Sequence, residues 1–302
     1  MRVGMNMLLW GTDLSGEQHL PLFERLKAMG YDGVELPLIG ADPARIAGLA
    51  RRLDDIGLAR TGVTVTGAEA NLISADSRIR RAGIDAVDKA LECCAAAEIS
   101  VLVGPFYSAL GVFSGAAPTT TEWQYALDGI REISQRAQRM GVVLGLEYLN
   151  RFENYLLNCA ADTVRFVRDV DRPNCRMMID TFHAHIEEKR VGDAIRESAD
   201  VLVHVHVSEN DRSTPGTGQV AWAEIFAALH GIEYRGWLTV EAFGMRHPTF
   251  ARATSIWRRM FTSEEHVASD ALSHVRAGWA AAATAVAAPE TAHKGNRYDD
   301  NR

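Results

Sequence analysis

The stretch Met-Met-Ile-Asp-Thr-Phe-His-Ala-His-Ile-Glu-Glu, residues 177–188, decides the fold of this chain. Its apolar start, residues 177–179, predicts a strand that is buried on both faces and stops at the carboxylate of Asp180. His183 follows three residues later. In a barrel of alternating strands and helices, the carboxyl ends of the strands open on one mouth. We therefore expect Asp180 to lie at such a mouth, provided that the same pattern recurs along the chain.

Strands and helices alternate along the whole sequence. Short apolar or β-branched runs predict strands at residues 3–10, 33–38, 61–66, 101–106, 142–149, 176–181, 201–207 and 237–242. Helices are predicted at residues 21–30, 43–56, 77–97, 122–140, 161–170, 193–198 and 222–229, with a last helical region from about residue 254. This alternation predicts an α/β fold, a single-domain (β/α)8 TIM barrel. We assign the barrel to residues 1–262, a C-terminal helical extension to 263–287 and a disordered tail to 288–302.

The composition is that of an ordinary globular protein. Hydrophobic residues make up 47% of the 302 residues and charged residues 24%, and the formal net charge is −7. The acidic balance argues against nucleic acid as a partner, because nucleic-acid-binding surfaces carry clustered basic residues. No apolar run approaches the roughly 20 residues that span a bilayer, so we expect no membrane partner. A signal-peptide cleavage site is missing and the four cysteines show no Cys-x-x-Cys spacing, which predicts reduced cysteines and a cytoplasmic location.

Four predicted strands in the second half of the chain end on a side chain that can bind a metal ion. They deliver Glu147, Asp180, His206 and Glu241, at successive spacings of 33, 26 and 35 residues. These spacings are close to the roughly 30 residues of one strand–helix–strand unit, which predicts four neighbouring strands and one shared rim. Taken singly, each residue could be a helix cap, a surface pair or a hydrogen-bonded core residue; as a set in phase with the strands, they indicate one site.

The residue types in this set indicate a divalent cation. Three carboxylates that are brought together repel each other unless a cation neutralises them. One imidazole with three carboxylates suits a hard ion such as Mn²⁺, Mg²⁺ or Co²⁺. A zinc site with cysteine ligands is not indicated.

Polar residues flank the set on the predicted loops. His183 is well placed to reach the mouth of the barrel. Arg212, on the loop after the seventh strand, is a candidate for binding a substrate oxygen or an anion, and Glu153 is a similar candidate. For Arg212 and Glu153 the alternative is an ordinary surface position. His204 points to the same strand face as His206, and we expect it to fill the barrel interior.

These motifs resemble those of the sugar isomerase and epimerase barrels related to xylose isomerase. They are Leu-Glu at 146–147, Asn-Arg-Phe-Glu at 150–153, Ile-Asp-Thr-Phe-His at 179–183, His-Val-His at 204–206 with Glu209 and Arg212, and Val-Glu at 240–241. Over about residues 3–262 the chain is most similar to the D-tagatose 3-epimerase and D-allulose 3-epimerase group. The resemblance implies that one Mn²⁺, Co²⁺ or Mg²⁺ is held by Glu147, Asp180, His206 and Glu241. It also implies substrate contacts from Glu153, His183 and Arg212.

The resemblance further implies epimerisation or isomerisation of a keto sugar by proton abstraction next to its carbonyl. The metal would bind the carbonyl oxygen and a neighbouring hydroxyl and so stabilise an ene-diolate. One of Glu147 and Glu241 would remove the proton, and the other would return it from the opposite face. The partner is then a small sugar. A homo-oligomer is compatible with the family, although no sequence feature decides it.

Three alternatives stay open on the sequence. A lyase could use the same site to expel a leaving group from the ene-diolate, as in relatives that dehydrate keto-inositols or that cleave 3-keto C-glycosides with a small partner subunit. A zinc phosphodiesterase of the endonuclease IV type shares the barrel, but it needs several zinc ions, more histidine ligands and a basic groove. The third alternative is a barrel that binds a sugar without catalysis.

Overall fold

The computed structural model describes residues 1–287 and shows a closed barrel of parallel strands in sequential order, β1 to β8. The strands are β1 Arg2–Asn6, β2 Gly33–Pro37, β3 Ala59–Val63, β4 Val101–Gly104, β5 Val143–Glu147, β6 Cys175–Asp180, β7 Leu202–Val207 and β8 Trp237–Val240. The predicted (β/α)8 TIM barrel is confirmed. The tail predicted at residues 288–302 lies outside the described residues.

Helices follow the strands and surround the barrel. They are α1 Leu20–Met29, α2 Pro43–Ile56, α3 Ser77–Ala96, α4 Thr120–Arg139, α5 Ala160–Val170, α6 Thr181–Glu187, α7 Val191–Glu197, α8 Trp222–Gly231, α9 Pro248–Ala253 and α10 Glu264–Ala287. Helix α2 has the predicted bounds because a capping residue fixes each of its ends. The side chain of Asp42 accepts a hydrogen bond from Arg45 N at 2.9 Å, and Gly57 closes the helix in a left-handed conformation with φ 80°.

The first strand is shorter than the sequence predicts. It ends at Asn6 instead of residue 10, because the Asn6 side-chain oxygen accepts a hydrogen bond from Leu8 N at 2.9 Å. That contact starts a one-turn 3-10 helix, Met7–Leu9. The chain therefore leaves the barrel wall at Asn6, and the side chain of this residue is held at the strand end.

A short helix that the sequence analysis did not predict follows β6. The side chain of Asp180 accepts hydrogen bonds from Phe182 N at 2.6 Å and His183 N at 3.3 Å, and thereby caps α6. The cap uses one carboxylate oxygen of Asp180, Oδ1, and leaves Oδ2 for other contacts.

The last helical region begins later than the predicted start at about residue 254. Helix α9 ends at Ala253, and α10 begins only at Glu264. The side chain of Ser263 accepts a hydrogen bond from His266 N at 3.2 Å, which fixes the start of α10. Helix α10 is thus the C-terminal helix of the described chain.

One glycine allows two neighbouring strands to approach closely. Gly104, at the end of β4, has φ 129°, and a Cβ atom placed there would lie 2.1 Å from the backbone oxygen of Thr64. Any side chain at this position would clash with backbone that cannot move away cheaply. Pro105 follows at once and reaches the cavity at the barrel mouth.

Two expectations about the environment can be compared with the structure. Within residues 1–287, no helix has both the length and the apolar character needed to cross a membrane. The four cysteines are free thiols, as predicted.

Candidate metal centre

The four predicted metal ligands all lie at the carboxyl-terminal end of the barrel. Glu147 and Asp180 are the last residues of β5 and β6, His206 is the next to last residue of β7, and Glu241 directly follows β8. Strand pairing sets Asp180 opposite His206. All four residues are at most 5% exposed, so their charges are shielded from bulk water.

Asp180 lies at the centre of this cluster. Ligand atoms of Asp180, His206 and Glu241 all lie within 4.8 Å of one another, and the same is true of Glu147, Asp180 and His183. His206 Nδ1 is 3.2 Å from Glu241 Oε1 and 3.7 Å from Asp180 Oδ2. The structure thus brings the four predicted residues together and adds His183 beside Glu147, with His183 Nε2 3.7 Å from Glu147 Oε1.

The hydrogen-bond partners of the two His206 ring nitrogens indicate whether this cluster suits a metal ion. Its Nε2 lies 2.7 Å from Glu35 Oε1, at hydrogen-bond distance. Its Nδ1 is buried and makes no hydrogen bond within the described part of the chain, although oxygens of Asp180 and Glu241 face it. A divalent cation satisfies such an arrangement, because it binds an imidazole lone pair and carboxylate oxygens together. The residues present therefore fit a metal ion.

Burial and mutual repulsion control the protonation of the carboxylates. Burial, with Glu241 and Asp180 nearby, raises the pKa of Glu147 well above its ordinary value. Burial also raises the pKa of Glu241, in spite of the positive charge of Arg212. Burial acts in the same direction on Asp180, but Arg212 together with His206 and His183 outweighs it and holds the pKa of Asp180 well below the ordinary value. Without a cation, the raised pKa values of Glu147 and Glu241 favour their protonated forms, so a metal ion would compete with protons for these carboxylates.

Arg212 is buried among the predicted ligands and is not a surface residue. Its Nη1 donates a hydrogen bond to Asp180 Oδ2 at 2.8 Å and a second one to Glu241 Oε2. The guanidinium lies between two aromatic rings, 4.1 Å from the centre of Phe182 and 4.7 Å from that of Phe243. The backbone of Arg212 is left-handed, with φ 63°, a conformation that is strained for any residue but glycine. The side chain is therefore held firmly at the site.

His183 presents an N–H group to the cavity. Its Nδ1 accepts a hydrogen bond from Asn150 N at 3.0 Å, so in the neutral ring Nε2 carries the proton. Burial and the adjacent guanidinium of Arg212 lower the pKa of His183 to about 4, which keeps the ring neutral. Its Nε2 lies 2.9 Å from Arg212 Nη2. Both side chains border the same cavity.

A cavity of about 80 Å³ opens above the cluster. Its polar lining includes Glu147, His183 and Glu241, and the remainder is largely apolar, with Leu8, Val63, Leu110, Leu149, Phe243 and Phe250. Glu153 lines this cavity and also a wider outer one of about 390 Å³. The Glu153 carboxylate accepts a hydrogen bond from Asn150 Nδ2 at 2.9 Å. The predicted substrate residues His183, Arg212 and Glu153 therefore all border the same opening.

The sequence analysis missed two residues that contact the cluster, Glu35 on β2 and Asn6 on β1. Asn6 Nδ2 donates to both Glu35 Oε1, at 3.0 Å, and Glu241 Oε1, at 2.8 Å. Burial raises the pKa of Glu35, but His206 and His204 outweigh it and lower the pKa well below the ordinary value. His204 is fully buried inside the barrel, as expected. A carboxylate within the otherwise apolar stretch Gly-Val-Glu-Leu-Pro, residues 33–37, is the signal that could have identified Glu35.

Comparisons with known proteins identify the family of this barrel. A family model described as "Xylose isomerase-like TIM barrel" matches residues 23–276. The D-psicose 3-epimerase of Agrobacterium fabrum (strain C58 / ATCC 33970) is 33% identical over 262 residues, which are 85% of this chain and 90% of that protein.

Solved structures of sugar 3-epimerases have the same fold as this chain. A structure of an L-ribulose 3-epimerase superposes with a TM-score of 0.88 at 29% identity, covering 96% of this chain and 99% of the other. The structure of D-psicose 3-epimerase with D-tagatose from Clostridium cellulolyticum H10 superposes with a TM-score of 0.85 at 30% identity, covering 92% and 99% of the two chains.

Proposed function

This chain belongs to the xylose isomerase-like TIM-barrel family and is an enzyme that acts on sugars, and from that premise we propose that it is a divalent-metal-dependent ketose 3-epimerase. The resemblance to the ketose 3-epimerase group is confirmed. One observation carries the proposal beyond the family. Three buried carboxylates and one imidazole with a free Nδ1 converge at the barrel mouth, beside His183 and Arg212, which line the cavity.

In this proposal, Asp180, His206, Glu241 and Glu147 hold one divalent ion, with Mn²⁺ as the first candidate and Co²⁺ or Mg²⁺ as the others. When bound, the ion supplies Lewis-acid polarisation of the substrate carbonyl. Asp180 is suited to permanent ligation because Arg212 keeps its pKa low, so that it is ionised across the physiological range.

Glu147 and Glu241 act as the acid–base pair. They stand on β5 and next to β8, so the chain presents them from different parts of the barrel rim. Both carboxylates line the inner cavity, which suits groups that must take up and release a proton of a bound ketose. One removes the C3 proton of the ketose, and the other delivers a proton to the opposite face. The configuration at C3 is thereby inverted.

His183 and Arg212 stabilise the negative charge that develops on the substrate oxygen. Both side chains line the inner cavity, so each can donate to a substrate oxygen that enters it. His183 acts as a neutral donor because its pKa is lowered to about 4. Glu153, at the junction of the inner and outer cavities, accepts a hydrogen bond from a hydroxyl of the sugar.

The substrate is a free ketose. Among the described residues that line the inner cavity, Arg212 is the one guanidinium or ammonium group, and it already contacts Asp180 and Glu241. A phosphate would lack a cation of its own there. The similar proteins are named for D-psicose and L-ribulose, and these two ketoses are the first candidates.

The proteins compared above are named as epimerases, so the comparisons give no support to a lyase or to a zinc phosphodiesterase. The proposal is tested by treating the protein with a chelator, adding Mn²⁺ and incubating it with D-psicose or L-ribulose. NMR analysis should show the C3 epimer only in the presence of the metal. An unsaturated or shortened product would replace the proposal by elimination, and an absence of turnover with every ketose and metal would refute it.

A further inference from the structure

Glu35 forms a buried hydrogen-bond centre directly beneath the candidate metal centre. It lies in the middle of β2, on the far side of His206 from the cavity-facing carboxylates, and is 0% exposed. None of the roles proposed above uses it. A buried carboxylate loses its hydrogen bonds to water, so it is stable only if protein groups replace them. The groups around Glu35 therefore indicate its role.

Both oxygens of Glu35 have close polar partners. Oε1 lies 2.7 Å from His206 Nε2 and accepts from Asn6 Nδ2 at 3.0 Å. Oε2 accepts from Thr61 Oγ1 at 3.0 Å and lies 2.9 Å from His204 Nε2. Three of these contacts are hydrogen bonds, and the one to His204 is a contact at ion-pair distance only. Although Glu35, His204 and His206 together resemble a set of metal ligands, His206 turns its Nδ1 toward Asp180 and Glu241, which favours a hydrogen-bonding role for Glu35 over a second metal site.

We propose that Glu35 is a positioning residue for the metal centre, an inference that rests on the proposed function. As an acceptor at Nε2, it requires that nitrogen of His206 to carry the proton. The lone pair of the ring is then on Nδ1, which is the atom that faces Asp180 and Glu241. Glu35 thus selects the one tautomer of His206 that can bind the metal through Nδ1.

Asn6 extends this control to a proposed acid–base residue. Its Oδ1 accepts a hydrogen bond from Leu8 N at 2.9 Å, which fixes the orientation of the amide. Its Nδ2 must then face Glu35 Oε1 and Glu241 Oε1, at 3.0 and 2.8 Å. A single amide group therefore ties Glu35 to Glu241, and the backbone of β1 holds that amide in place.

The test compares the Mn²⁺ affinity of the wild type with those of three variants, measured from the electron paramagnetic resonance signal of free Mn²⁺. Glu35→Ala removes the acceptor at His206 and should weaken Mn²⁺ binding by about 10- to 100-fold, the usual effect of losing such a partner. Glu35→Gln keeps an oxygen acceptor for His206 Nε2, because its NH₂ group can face Thr61 and His204, and should weaken binding much less. Thr61→Val is the matched control: it removes a partner from the other oxygen of Glu35 and should leave Mn²⁺ affinity close to that of the wild type.

A folded Glu35→Ala protein with wild-type affinity would overturn the inference, and so would a loss in Thr61→Val as large as that in Glu35→Ala. Should Glu35→Ala fail to fold, the ¹⁵N spectrum of His206 in the wild-type protein loaded with Mg²⁺ decides the question. A proton on Nε2 is expected, and a proton on Nδ1 would overturn the inference. A wild-type protein that binds no Mn²⁺ would instead contradict the proposed function, so the two failures are distinguishable.

Discussion

Asp180 and His206 lie directly opposite each other on the neighbouring strands β6 and β7, with Asp180 Oδ2 3.7 Å from His206 Nδ1. The pairing of two parallel strands therefore places a carboxylate and an imidazole lone pair at the same point of the rim. Asp180 also caps α6 through its other oxygen, so its position is fixed from two sides. This rigid pair is the anchor to which the other groups of the site are added.

Replacing either proposed acid–base residue by its amide should stop epimerisation. Glu147→Gln and Glu241→Gln are each expected to lower kcat by about 10²- to 10⁴-fold, because a positioned general acid or base contributes that much. Exchange of the C3 proton with solvent deuterium, followed by NMR, measures the step directly. Glu92→Gln, on the exposed face of α3, is the control and should be fully active. Near-normal exchange in both active-site variants would contradict the roles of these residues.

Metal binding should stabilise the folded protein. Saturation to 100 times the dissociation constant adds about 2.7 kcal/mol to the free energy of unfolding, since the ion binds the folded state. A chelator should therefore lower the thermal midpoint, and Mn²⁺ should restore it. Asp180→Asn can still cap α6 but loses the anionic ligand, so Mn²⁺ should no longer raise its midpoint. Asp128→Asn, on the surface of α4, should respond like the wild type; a full response of Asp180→Asn would argue against ligation by Asp180.

Metal affinity should weaken as the pH falls. The pKa values of Glu147 and Glu241 are raised in the metal-free protein, so a metal ion must displace their protons. Each displaced proton lowers the apparent affinity about tenfold for every unit of decreasing pH.

The stability of the metal-free protein should change with pH in the direction opposite to metal affinity. A carboxyl group with a raised pKa contributes stability below its unfolded pKa and loses that contribution as the pH rises through its folded pKa. The midpoint difference between metal-loaded and metal-free protein should therefore grow with increasing pH. Thermal unfolding in mildly acidic and mildly alkaline buffers measures this, and a difference independent of pH would refute the assigned direction.

Arg212 should matter for turnover more than for metal binding. Arg212→Gln is expected to lower kcat/KM by about ten- to a hundredfold, because a hydrogen bond to a charged group contributes about 1.5–3 kcal/mol. Arg212→Lys should not restore the activity, since an ammonium lacks the planar fork that lies between Phe182 and Phe243. Mn²⁺ affinity should fall by less than kcat/KM in both variants, because all four proposed ligands remain. Arg258→Gln, at the exposed rim of the outer cavity, is the control, and full activity of Arg212→Lys would contradict this role.

The barrel could be predicted from the sequence because its strands are short apolar runs with polar side chains at their ends. The four proposed metal ligands could be identified for that reason, because each is a polar residue at or next to the end of an apolar strand. They are Glu147, Asp180, His206 and Glu241. Helix α6 could not be predicted, because its strong start signal is the Asp180 side chain, and this residue is also the last one of strand β6. The break between α9 and α10 depends on a hydrogen bond to Ser263 that has no periodic pattern.

The contacts of Asn6 and Glu35 with the site could not be predicted, because they depend on closure of the barrel. Asn6 and Glu241 are 235 residues apart, and they meet only because β1 pairs with β8. Glu35 sits within a strand that is buried at every position, so no alternation of polar and apolar residues marks it. The backbone conformation of Arg212 is likewise invisible in a sequence, because a positive φ is a rare choice for arginine.

The central claim is that one glutamate removes the C3 proton and a second one returns a proton from the opposite face. It is tested most directly by the deuterium content at C3 in the first product formed from D-psicose or L-ribulose by the Mn²⁺-loaded enzyme in D₂O. Two-base transfer is expected to give an epimer that carries one deuterium at C3, while the unreacted ketose still carries hydrogen. An epimer that forms without deuterium at C3 would contradict the claim.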